Sequence, residues 1–219
     1  MRSLNVSDGG KVVISKKDYD LYNNIPEVYL IIQASLKINK LCQLFQKEDE
    51  NYKLFVINEL QEIIQPLSTE QISSNITETF FQELFTTMLE SSNKKIISMS
   101  SKLISSLTDN ILQYCLFIAK ENNIQMLYKL LINTNDPQIL NQLFSIFSNI
   151  ITEETKENIF LYTDLGDYLL KYLHDERVMD NSPKYFFDLF ENVIKIRNKD
   201  FIQKLYGSVS RLLYLLKSC

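Results

Sequence analysis

The chain has 219 residues, 45% hydrophobic and 23% charged, the balance of one folded domain or a short repeat array and not of a disordered tail. With 23 basic against 27 acidic residues the net charge is −4, so there is no broad positive field for a phosphate backbone and no nucleic-acid partner is expected. The opening MRSLNVSDGGKVVISKK lacks the apolar core of a signal peptide, and no run of about 18 apolar residues occurs, so no membrane partner is expected either.

In chain order, residues 1–20 are polar, contain Gly9 and Gly10, and read as a flexible N-terminal arm. The strand-like KVVIS at 11–15 is too short to build a sheet. Residues 21–219 read as a single helical repeat domain. Apolar residues at helical spacing predict helices at 26–46 and 51–65, the second closed by Pro66 because a residue before proline avoids helical geometry. Helices at 70–78, 78–91 and 94–107 follow, with Phe80, Phe81 and Phe85 at core spacing. A segment at 109–120 offers Ile111, Leu112, Cys115, Leu116 and Ala119 as its inward stripe. Next come 123–133 and 136–151, where Leu140, Leu143, Phe144, Phe147 and Ile150 share one face. The chain then continues through 155–161, 165–174, 182–196, 198–206 and 208–217, with Phe186, Phe187 and Phe190 on the core side of 182–196.

These segments repeat. LFTTML at 84–89, MLYKLL at 126–131 and YLLKYL at 168–173 are 42 residues apart, and RLLYLL at 211–216 follows after 43. LFSIFSNI at 143–150 returns as LFENVIKI at 189–196. Asp136-Pro137 and Ser182-Pro183 both place a capping side chain ahead of a proline at the first helical position. Gly166 and Gly207 precede apolar helices where a sharp corner calls for positive φ, and Asn122-Asn123 occupies the matching corner one period earlier. Two or three helices in a period near 42 predict an all-α, right-handed superhelical solenoid of four to five short armadillo- or HEAT-like repeats. The rival is an irregular bundle whose similar fragments coincide.

The stretch NNIQMLYKLLINTNDPQILNQLFSIFSNI resembles the second and third helices of an armadillo repeat, and within that group it is similar in flavour to importin-α, over roughly 109–217. In importin-α the third helices line a concave groove with Trp and Asn four residues apart that grip an extended basic peptide. The resemblance puts Asn149 at the asparagine position and Ser145 at the tryptophan position, and the next repeat offers Glu191 and Lys195. It implies a nuclear transport adaptor, although this chain has no Trp and only Lys11, Lys16 and Lys17 in place of a basic importin-β-binding arm.

Catalysis is not expected. His174 is the only histidine, and the glycine-rich phosphate loops, GxSxG and HExxH are absent. Glu48-Asp49-Glu50 and Glu153-Glu154 read as solvated connectors. Cys42, Cys115 and Cys219 form no CxxC pair and read as reduced thiols, so neither metal nor cofactor is expected. Tyr162, Tyr168, Tyr172 and Tyr185 gather around one repeat junction, either as edges of packed helices or as a binding ledge.

The resulting expectation is a non-catalytic scaffold that binds a protein or extended peptide through Ser145, Asn149, Glu191 and Lys195. A structural subunit whose end is capped by a partner, or which self-associates through 208–217, is the alternative. The expected compartment is the cytoplasm, with the nucleus as second choice.

Overall fold

The computed structural model describes residues 25–46, 49–109, 111–175, 183–196 and 199–218. The 1–20 arm, the KVVIS fragment, the Ser182 cap and Cys219 lie outside them. The described chain is all-α: α1 (Ile25–Phe45), α2 (Glu50–Ile64), α3 (Thr69–Asn75), α4 (Glu78–Glu90), α5 (Lys94–Thr108), α6 (Leu112–Ile118), α7 (Glu121–Asn133), α8 (Pro137–Ile150), α9 (Lys156–Tyr162), α10 (Leu165–Leu173), α11 (Pro183–Lys195), α12 (Lys199–Leu205), a 3-10 turn (Tyr206–Ser208) and α13 (Val209–Ser218). Among the described residues no helix is long and apolar enough to cross a membrane.

Short polar side chains start many of these helices. Asp49, Thr77 and Asn93 accept from a backbone N–H in the first turn of α2, α4 and α5, and Ser68 and Gln71 close a reciprocal capping box on α3. Asp136 accepts from the Gln138 and Ile139 N–H groups ahead of Pro137, as its sequence context predicts. Helix ends are handled differently, because four glycines in the whole chain leave few left-handed caps. Side chains that arrive later in the chain bind the terminal carbonyls instead. Tyr114 Oη donates to the Ile76 carbonyl at 2.7 Å, Asn158 Nδ2 to that of Ala119 at 3.4 Å, and Arg211 Nε to that of Leu173 at 3.3 Å.

This arrangement corrects the corner readings. Neither Gly166 nor Gly207 takes a positive φ. Gly166 sits inside α10, where a Cβ would lie 3.2 Å from Phe201 Cδ2, so its smallness serves close packing. Asn123 lies in the first turn of α7, and its Nδ2 caps the Phe117 carbonyl at 2.8 Å. Gln65 keeps helical geometry at φ −54 and ψ −45. The helix stops there because Pro66 has no N–H to give the preceding turn, and the Leu67 N–H reaches back to the Ile64 carbonyl.

Every third helix packs on the next, α2 on α5, α5 on α8 and α8 on α11, while α4 meets α7. One continuous core follows this order, from Ile38 and Phe45 through Phe81, Phe85, Phe144 and Phe147 to Phe186 and Phe190. The predicted α8 stripe is fully buried, with Ile139 and Ile146 in addition. In α6 the inward face is Tyr114, Cys115 and Ile118, whereas Leu112 and Leu116 are 48% and 45% exposed. Phe187 is half-buried, beside the buried Phe186 and Phe190. Helix α5 packs against α2, α4 and α8 and buries Ser100, Ser101, Ser105 and Thr108. Ser101 and Thr108 satisfy their hydroxyls on the carbonyls of Ile97 and Ile104 one turn back.

Candidate partner-binding face

Helices α2, α5, α8 and α11 are tied together by side-chain amides and hydroxyls. From α2, Gln61 Nε2 donates to the Met99 carbonyl of α5 at 2.8 Å. From α8, Asn149 Nδ2 donates to the Ser105 carbonyl at 2.9 Å and to Thr108 Oγ1 at 3.3 Å, and the Ser145 and Ser105 hydroxyls meet at 2.7 Å. From α11, Asn192 Nδ2 donates to the Ser148 carbonyl at 3.1 Å and to its hydroxyl at 2.8 Å. Ser105 and Ser148 stand in the last turns of α5 and α8; the Ser105 carbonyl also accepts from the Asp109 N–H at 3.1 Å, so Asn149 adds a further donor to it. Each asparagine therefore caps the helix stacked before its own.

Of the four sequence-predicted residues, Ser145 and Asn149 are thus half-buried and turned toward α5. Glu191 and Lys195 are about two-thirds exposed and pair with each other at 2.8 Å, one turn apart on α11. The structure brings Ser145 and Asn149 together and puts the other two on the next helix in the stack. Sequence reasoning missed Asn192, although it follows Asn149 by one repeat period. It also missed a cavity of about 440 Å³ between α2 and α5, whose walls include Asn58, Gln61, Glu62, Lys102 and Ser106. Asn141 Oδ1 on α8 and Ser100 Oγ on α5 are buried without a hydrogen-bond partner.

The amides and hydroxyls on these helices both donate and accept hydrogen bonds, and Glu191 with Lys195 adds an exposed ion pair. Burial, with the Glu83 charge adding to it, pushes the Cys42 thiol up to about 11; burial does the same to Cys115, whose Sγ donates to the Thr108 carbonyl. Burial also raises the Tyr114 phenol to about 12, with smaller contributions from Cys42 and Glu78. Among the described residues no group of three His, Cys, Asp or Glu side chains could hold a metal ion. His174 is exposed at the end of α10, and its Nε2 lies 2.9 Å from Ser208 Oγ. Of the predicted tyrosine group, Tyr172 is core, packed between Phe144 and Phe186, while Tyr168 stacks on Tyr172 and meets Tyr128 edge-on.

No family model matches the chain, and no curated protein does. Among solved structures it is similar to two engineered proteins of the Northeast Structural Genomics Consortium. One superposes with a TM-score of 0.67 at 15% identity, over 82% of this chain and 73% of the other. The second gives 0.61 at 15% identity, over 86% and 87%. At that identity the likeness concerns the fold alone.

Proposed function

We propose that the chain is a short armadillo/HEAT-type α-solenoid that acts as a non-catalytic scaffold, with its third helices α2, α5, α8 and α11 receiving a protein or an extended peptide. The observation that carries this reading is the repeated amide cap, Asn149 on Ser105 and Asn192 on Ser148, each across 44 residues. Like joints at matching separations are what stacked repeats require, and stacking leaves an extended, preformed surface for chain segments. The cavity beside Lys102 and the exposed Glu191–Lys195 pair give that surface both polar and charged handles.

The test is affinity capture of the full chain from its source cell, followed by lysine cross-linking and mass spectrometry. Cross-links from a partner to Lys102 and Lys195 support the reading. A partner linked only to lysines elsewhere, or none surviving a moderate salt wash, removes it. A second reading is a structural subunit held through α13, favoured by Leu213 and Tyr214, which are 52% and 60% exposed. In that case the sedimenting mass rises with concentration, and Leu213→Glu abolishes the rise.

A further inference from the structure

A groove of about 720 Å³ runs along α1 beside the end of α2 and the start of α3. Ile31, Leu36, Ile63 and Leu67 supply its apolar lining, and Lys37 and Lys40 stand among its walls. Leu36 is 51% exposed, and Ile32, one turn earlier, is 50% exposed. Large aliphatic side chains open to water on successive turns form a stripe that gains by being covered.

Charge says what covers it. From Ile31 to Phe45 the helix carries Lys37 and Lys40 and no acidic residue, in a chain whose net charge is −4. Lys37 pairs with Glu59 of α2 at 2.6 Å. Lys40 has no ion-pair partner among the described residues. Of the carboxylates on α2 and α3, Glu62 lines the cavity between α2 and α5, and neither it nor Glu70 is part of the groove's lining.

We propose that this groove docks an acidic amphipathic helix of a partner protein. Apolar side chains at i, i+4 and i+7 fill the lining, and carboxylates on the flank meet Lys40 and, beside Glu59, Lys37. A second copy of this chain, meeting the same face symmetrically, would bring the lysines of both copies together, which disfavours it. The surface is distinct from the third-helix face, since the groove and the cavity between α2 and α5 share Leu67 alone.

The test titrates the full chain into a fluorescein-labelled helical peptide of about 18 residues, long enough to hold a helix. The peptide carries leucine at i, i+4 and i+7 and glutamate at its flanks; a second peptide replaces each glutamate by lysine. The acidic peptide is expected to bind at least about tenfold more tightly than the basic one, with the difference shrinking as salt rises. Leu36→Glu lowers its affinity about tenfold, and Lys40→Glu about threefold with loss of the acidic preference. Leu36→Ala, which adds no charge, weakens it less and guards against misfolding. Leu116→Glu on α6, or exchanging the charges of Glu191 and Lys195, leaves it unchanged, which separates this surface from the third-helix face. Equal binding of the two peptides, or an unaltered Leu36→Glu titration, overturns the proposal. So does a dimer that Leu36→Glu dissociates, which gives the face to a second copy. Absence of peptide binding, with Leu36→Glu speeding hydrogen exchange in residues 1–24, overturns it in favour of this chain's own N-terminal segment.

Discussion

Asn149 on α8 caps the Ser105 carbonyl at the end of α5, and the same residue type one period later, Asn192 on α11, caps Ser148 at the end of α8. The two contacts make the polar joints between stacked helices part of the scaffold. An asparagine so used is held by contacts within the chain.

Asn149→Ala should lower stability by about 0.5–1.5 kcal/mol, because the tie from α8 to the Ser105 carbonyl and Thr108 hydroxyl is lost while that carbonyl keeps the Asp109 N–H. Asn149→Asp should do more damage, since a carboxylate oxygen then faces a carbonyl. Asn192→Ala should behave like Asn149→Ala. Urea unfolding measures all three; an Asn149→Ala midpoint equal to that of the parent would mean the cap carries no weight.

The two glycines should respond in opposite directions. A Cβ on Gly207 meets nothing within 4 Å, so Gly207→Ala removes unfolded-state freedom at no steric cost and should add about 0.4–1 kcal/mol. At Gly166 the Cβ presses on Phe201, which is 3% exposed and packed edge-on against Phe190 at 5.2 Å. The ring must give by a few tenths of an ångström and loosen its contact with Phe190 to admit the methyl, so Gly166→Ala should lower the melting temperature despite its better helix propensity. Thermal melts of the two variants decide it.

These glycines also mark where the sequence stops being legible. Helix positions could be read because Leu140, Leu143, Phe144, Phe147 and Ile150 recur with the helical period, and Asp136-Pro137 marks its own helix start. The ends could not, because Tyr114, Asn149 and Arg211 bond carbonyls 38 to 44 residues distant, and no local pattern records such a partner. Buried Ser100 and Ser101 look solvent-facing by composition, yet small side chains are what allow α5 to sit among several neighbours. For the candidate face, the period located the helix that carries Asn149, but which way its amide turned depended on α5. Leu112 and Leu116 fit an apolar stripe and are half-exposed, since spacing alone cannot tell which of two adjoining faces the next helix covers.

High pH should destabilise the protein from about pH 9 upward. Cys42 and Cys115 are raised from 9.0 to about 11, and Tyr114 from 10.0 to about 12. Between the two values of each group the unfolded chain has already lost a proton that the folded chain keeps, so stability falls as pH rises through that window. Unfolding at pH 8, 9, 10 and 11 should show a flat start and then a decline; a flat line throughout would place these groups in contact with water. Tyr114→Phe should cost about 1–2 kcal/mol near neutral pH through the lost bond to the Ile76 carbonyl, keep its stack on Phe81, and flatten the decline above pH 10.

Exchanging charges at Glu191→Lys and Lys195→Glu together separates stability from recognition. Both side chains are about two-thirds exposed, and the exchanged pair can still meet one turn apart on α11. Stability should therefore change by less than about 0.5 kcal/mol, the range of an exposed helical ion pair. A partner seated on the third-helix face, however, meets the opposite charge pattern there. Its affinity should fall about tenfold, or about 1.4 kcal/mol, with most of the loss gone at high salt. Calorimetric titration of the captured partner against parent and exchanged chains measures this. An unchanged affinity would take Glu191 and Lys195 out of the contact while leaving the Asn149 and Asn192 caps, and the stacking they secure, untouched.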